Sequence, residues 1–192
     1  MTIANSSSAR RAGFKINDET IGELAALSMA KIGCRTLYVP LPADCWHMAG
    51  ASVAVAEDGI FPIITLPDAN TGNLYTSFEL PAEAVLTTGT YVLSIYWKST
   101  AVSGAAKYTV ELASRQDNGN PSTAEETLTV TTTVATTASQ INKSQITFLG
   151  ADFSSANNLV GIHVSRDPAD AADTLGANVS FVCAVLEFTG RG

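Results

Sequence analysis

Lys107-Tyr108-Thr109-Val110-Glu111-Leu112-Ala113 is the stretch that decides the fold. Polar and apolar side chains alternate residue by residue. That is the period of a strand with one wet face and one buried face; a helix would scatter the same residues around its axis. Tyr108, Val110 and Leu112 are expected inward, with Lys107, Thr109 and Glu111 outward. Working outward, Tyr91 to Trp97 repeats the pattern, with Tyr91, Leu93, Ile95 and Trp97 on one face. Thr127 to Thr137 is dense in threonine, whose branched β-carbon suits a pleated sheet, and carries Leu128, Val130, Thr132 and Val134 on one face. Gln145 to Leu149, Leu159 to Arg166 and Val179 to Phe188 read as further strands. Upstream, Leu74 to Leu80 follows the turn-rich run Asp68 to Asn73. Ser52 to Ala56 and Ile60 to Leu66 form a hairpin about Glu57-Asp58-Gly59. Leu37-Tyr38-Val39 is β-prone and is expected to stop at Pro40-Leu41-Pro42. About ten short strands at such spacing predict an all-β, jelly-roll-like antiparallel β-sandwich.

Two segments break the pattern. The last strand is apolar on both sides: Val179, Phe181, Cys183 and Val185 on one, Val182, Ala184, Leu186 and Phe188 on the other. Burial of both faces requires a cover, supplied by the N-terminal segment or by a second subunit. Residues 1–34 differ from the remainder and read as an N-terminal arm with a short helix; residues 35–192 read as the sandwich domain. Met1 to Gly13 is Ser, Ala, Asn and Arg, too polar to order itself by burial. Asn17 to Lys31 carries a cap at Asn17 or Asp18 and a ragged apolar stripe at Ile21, Leu24, Leu27/Ser28 and Ile32.

Composition excludes several classes of partner. The chain has 192 residues, a net charge of −7 and a pI near 4.7. Arg10-Arg11 is its only basic pair, so no patch is present to neutralise phosphates, and neither nucleic acid nor an anionic membrane is an expected partner. Apolar residues make up 46% and charged residues only 15%, which suits a surface of hydroxyls and amides, or burial in an assembly. Cys34, Cys45 and Cys183 show no CxxC spacing and form no disulfide framework; Cys183 is expected as a small core residue. No apolar run approaches membrane-spanning length. Reduced cysteines and the lack of an apolar leader fit synthesis in the cytoplasm.

Candidate chemistry is sparse. His47 and His163 are the only histidines. His163 lies on the strand face opposite Ile162 and Val164 and is expected toward solvent or an interface. Cys45-Trp46-His47 offers a thiol and an imidazole for nucleophilic catalysis, without a Gly-rich turn or an upstream base. Asp167, Asp170 and Asp173 offer calcium ligands; a capped turn, with Arg166 paired to Asp173 or Asp167, is the plainer account. Tyr38, Trp46, Tyr75, Tyr91, Tyr96, Trp97 and Tyr108 could line a sugar-binding face, with Tyr96 the best exposed and Tyr91, Trp97 and Tyr108 assigned to the core. No phosphate-binding glycine motif occurs. No catalytic, cofactor or metal site is expected, and no enzyme.

One set of motifs carries a resemblance. Phe78-Glu79-Leu80-Pro81, Gly89 leading to the strand that ends at Trp97, the Thr-rich strand, Arg166-Asp167 followed by Asp173-Thr174-Leu175, and the terminal apolar strand recur in this order. The order resembles a family of small all-β virion proteins of tailed bacteriophages, over roughly residues 35 to 190. The resemblance implies a structural virion protein of the capsid surface, made in the bacterial cytoplasm. It implies a decoration (cement) protein bound to the major capsid protein, as a homotrimer matching capsid three-fold positions. The alternative it implies is a receptor- or glycan-binding module of a head fibre, tail fibre or tail. In that family the Arg-Asp to Asp-Thr-Leu segment is a structural loop.

Overall fold

The computed structural model describes residues 35–80, 89–115, 124–152 and 159–190. The arm and short helix expected within residues 1–34 lie outside them. The described residues form eleven strands: β1 (Arg35–Pro42), β2 (His47–Ala49), β3 (Ala54–Asp58), β4 (Phe61–Leu66), β5 (Gly72–Glu79), β6 (Thr90–Ser99), β7 (Ala105–Arg115), β8 (Glu126–Thr133), β9 (Asn142–Leu149), β10 (Leu159–Arg166) and β11 (Val179–Gly190). They make two antiparallel sheets. The first runs β3-β4-β11-β6-β9, with β1 also on β11; the second runs β2-β5-β10-β7-β8. The expected sandwich is the observed architecture.

The alternation read in the sequence becomes the core. Tyr91, Leu93, Ile95 and Trp97 of β6 are buried, as are Tyr108, Val110 and Leu112 of β7 and Val160, Ile162 and Val164 of β10. Trp97 and Tyr108 meet edge to face between the sheets, ring centroids 6.0 Å apart. A buried indole N–H needs an acceptor, and Trp97 Nε1 donates to Ser144 Oγ at 2.9 Å. Ser144 Oγ in turn lies 2.8 Å from Thr132 Oγ1. These hydroxyls occupy inward positions of β9 and β8, so the threonine-rich strand serves the core's polar needs as well as its shape.

The terminal strand corrects the sequence reading. Strict alternation gave β11 two apolar faces, but the register against β6 shifts between Phe181 and Cys183. A bulge inserts one residue and reverses the parity of all that follows. Val179 and Phe181 are therefore buried before it, and Ala184, Leu186 and Phe188 after it, all on the inner face. Cys183, Val185 and Glu187 face outward in a half-buried row, so Cys183 is not the core residue expected. The strand therefore has one fully buried face, and two apolar faces no longer argue for a cover by the N-terminal segment or a second subunit.

The prolines of β1 did not end the strand. Pro40 pairs with Val185 and Pro42 with Cys183. Among the described residues β1 pairs only with β11, and an edge strand tolerates a proline whose missing N–H faces away from the ladder. β1 and β4 lie end to end along the same side of β11: β4 takes Val179–Phe181, and β1 takes Cys183 onward.

Gly104 closes the β6–β7 connection at φ 94, and a Cβ there would stand 2.3 Å from the Thr174 carbonyl oxygen. Ala105 N–H and Thr174 Oγ1 are hydrogen-bonded at the same crossing. Gly104→Ala should therefore cost well over 1 kcal/mol, read as a lower denaturant midpoint. Gly59→Ala, at φ 63 with nothing within 4 Å of the new methyl, should cost less.

Candidate functional site

The acidic segment after β10 is a clasp. Arg166 is fully buried and forks onto Asp173, Nε to Oδ2 at 2.8 Å and Nη2 to Oδ1 at 2.9 Å. It also donates to Ala177 O and to Asp68 Oδ1. Asp173 accepts further bonds from the Lys107 and Leu175 N–H groups. Asp170 is held by Lys107 Nζ and the Ala172 N–H, and Asp167 by Thr71 and the Ala169 N–H. Every carboxylate is thus engaged in closing the turn. Among the described residues no group of three or more His, Cys, Asp or Glu side chains could hold a metal ion. Of the two partners expected for Arg166, Asp173 is the one chosen. Burial opposes ionisation of Asp173, but the Arg166 guanidinium and the two N–H donors outweigh it and hold the carboxyl below 3.8.

A different cluster lies on the outer face of the second sheet. The registers set His47, Tyr75, His163 and Glu111 in one row across β2, β5, β10 and β7. Outward positions of neighbouring strands at one level must touch, because directly opposed Cβ atoms lie about 5 Å apart. Tyr75 and His163 stack, centroids 4.3 Å apart and planes 5° from parallel. His163 Nδ1 lies 2.8 Å from Glu111 Oε2, and Nε2 lies 3.0 Å from Asn73 Oδ1. The imidazole is thereby fixed from both ends, and it fixes the Tyr75 ring in turn.

The opposite face of Tyr75 is open. Toward β2 the His47 ring stands 6.5 Å away, tilted 45°. Between them is a notch of about 360 Å³ lined by Cys45, His47, Tyr75, Thr76 and Ser77. Beyond His163 the face continues with small or hydroxylated groups: Gly161 and Ala113 on one side, Ser165, Thr109 and Thr129 on the other. A Cβ at Gly161 would meet only the Ala113 carbonyl, at 3.9 Å, so the surface beside the stack is clear.

The structure rearranges the sequence candidates. His163 faces outward as expected, but its use as a splint between Glu111 and Tyr75 was not visible from spacing. Cys45 and His47 both line the notch, with the Tyr75 ring as their shared wall. Tyr91, Trp97 and Tyr108 are in the core as assigned, and Trp46 joins them, edge-on to Phe181 with centroids 5.3 Å apart. Tyr96 is half-buried with Lys143 Nζ 5.7 Å above its ring, so it offers a covered face. Tyr75, 40% exposed, is the ring set in a recess.

These features define a β-sandwich with an aromatic-bearing notch on one sheet face. No protein-family model and no curated protein sequence matches the chain. Among solved structures it is similar to carbohydrate-binding modules. One is the CBM36-1 domain of a multidomain xylanase from the hindgut metagenome of Trinervitermes trinervoides, at 9% identity and a TM-score of 0.50, covering 78% of this chain and 96% of that one. A carbohydrate-binding module CBM36 in complex with calcium and xylotriose gives 15% identity and a TM-score of 0.47, over 79% and 98%. The enzymatically active domain of tailspike protein 4 from bacteriophage CBA120 gives 10% and 0.40, over 82% of this chain and 19% of that one. At these identities the likeness is one of fold.

Proposed function

We propose that the protein is a non-catalytic glycan-binding module and that Tyr75 is its platform. The observation that carries the proposal is the Tyr75 ring, braced on one face by the His163–Glu111 pair and open on the other to the His47 notch. A pyranose has an apolar C–H face and a rim of hydroxyls. The negative face of an aromatic ring attracts the first, and the His47 imidazole and the Thr76 and Ser77 hydroxyls that line the notch pair with the second. A fold shared with a carbohydrate-binding module supports the same reading. The motif order quoted above supports a setting on a bacteriophage particle, where such a module would recognise a host-surface glycan. Of the two positions weighed, the Tyr75 face favours a fibre or tail over capsid cement. The two apolar faces read for the last strand, which had favoured a trimer at capsid three-fold positions, are removed by the bulge.

The test is affinity electrophoresis against a panel of polysaccharides. Retardation by at least one is expected for the full chain, and Tyr75→Ala should weaken it about tenfold, roughly 1.4 kcal/mol, with unchanged circular dichroism. Lack of retardation by the whole panel, or equal retardation of the variant, would overturn the proposal.

A further inference from the structure

On the opposite side of the sandwich, the outer face of the first sheet carries a second recess of about 340 Å³. Thr65, Ser180 and Lys98 stand there in one row across β4, β11 and β6. Lys98 is ion-paired with Asp58 at the tip of the β3–β4 hairpin. The pair ties that tip to β6 and walls the recess, and Ile63, buried despite its outward parity, forms an apolar patch within it. Ser139 closes the rim from the β8–β9 connection, with its N–H bonded to the Ser99 carbonyl. Its φ is 63, a left-handed conformation that non-glycine residues seldom hold and that recurs at binding sites. Ser99 and Asn178 are already bonded to each other and shape the wall. The hydroxyls of Thr65, Ser139 and Ser180 make no hydrogen bond among the described residues, and all three line the recess.

We propose that this recess is a second sugar site, independent of the Tyr75 face, that takes one neutral monosaccharide unit. The chemistry of the lining selects among ligand classes. Asp58 neutralises Lys98, so no free positive charge remains to hold a phosphate or a uronate. Glu57 is then the one carboxylate in the lining without a cationic partner, too few for calcium, which takes six to eight oxygens. What remains is a mixed set: hydroxyls that both donate and accept, a carboxylate that accepts, an ammonium that donates and an apolar patch. A polyol ring with a C–H face answers each of these. The volume lies at the small end of ligand pockets, roughly 300–1,000 Å³, which fits one ring and not a long chain.

The experiment is a titration of the ¹⁵N-labelled full chain with glucose, galactose, mannose, xylose and N-acetylglucosamine, one at a time. For at least one sugar, saturable shifts are expected at the amides of Thr65, Ser99, Ser139 and Ser180. Glu57→Gln and Thr65→Val should each weaken that binding about tenfold, and Tyr75→Ala should leave it unchanged. Two substitutions on different strands keep the test open if one of them misfolds. No shifts around this recess with any of the sugars would overturn the second site. Shifts at the Tyr75 face alone would do the same while leaving the proposed function standing. Loss of the recess shifts in Tyr75→Ala would make the two sites one and refute their independence. A response to calcium chloride in place of sugar would refute the ligand class.

Discussion

Replacing Arg166 by methionine should destabilise the protein by about 3–5 kcal/mol. The guanidinium is wholly enclosed, and its removal strands Asp173, whose side chain is only 1% exposed, as a buried charge with two backbone donors left. A double variant, Arg166→Met with Asp173→Leu, should recover much of the loss, because the cost lies in the orphaned charge more than in the absent pair. Denaturant midpoints of the three proteins check this; a single variant as stable as wild type would show that the clasp contributes little. The same pairing sets a pH dependence. Asp173 titrates below 3.8 when folded and near 3.8 when unfolded, so its contribution is complete above 3.8 and is lost as pH falls through the folded value. Asp170, held by Lys107, shifts in the same direction. Stability should therefore drop on acidification below about pH 4, and less steeply in Arg166→Met, where Asp173 has no guanidinium to lose.

Trp97→Ala should cost about 3–5 kcal/mol in chemical denaturation. The ring is fully buried, it packs edge-on against Tyr108, and its N–H is the donor that reaches Ser144. Trp97→Phe separates the two parts of that cost. It keeps most of the apolar contact and forfeits the hydrogen bond, for about 1 kcal/mol plus whatever the smaller ring leaves unfilled. A change within about 0.5 kcal/mol for Trp97→Ala would contradict the packing described.

The strands were legible where one face is wet. β7 and β10 alternate without interruption, and the expected bounds of β10 are the observed ones, Leu159 to Arg166. Where a local rule met a tertiary circumstance, the sequence misled. Pro40 and Pro42 signal a break, but an edge position made them harmless. Val182 looks like any apolar residue of a strand, and nothing local marks it as a bulge, which is a property of the pairing with β6. β2 has three residues, His47–Ala49, too few to show a period, and was not expected. The candidate site shows the same divide. Outward placement of His163 follows from parity, but its neighbours Tyr75 and Glu111 lie 88 and 52 positions away along the chain and meet it only through the order β5-β10-β7. No spacing rule encodes that order. Outward parity alone points to Tyr96; Lys143, its cross-strand neighbour, decides against it.

The position of β11 has a consequence for how the chain is made. This last strand holds β4 and β1 along one side and β6 along the other. During synthesis, β1 leaves the ribosome first among the described strands and waits for its partner until β2 to β10 have followed. Closing a ladder between Thr36 and Thr189 carries the loop-closure entropy of all the chain between them, a contact of long sequence separation that slows folding. Until then β1 and the β11-facing edge of β4 are unpaired templates, open to strands of other nascent chains. Nascent chains arrested before Val179 should therefore be sensitive to protease along β1, and protection should appear only once β11 has cleared the exit tunnel.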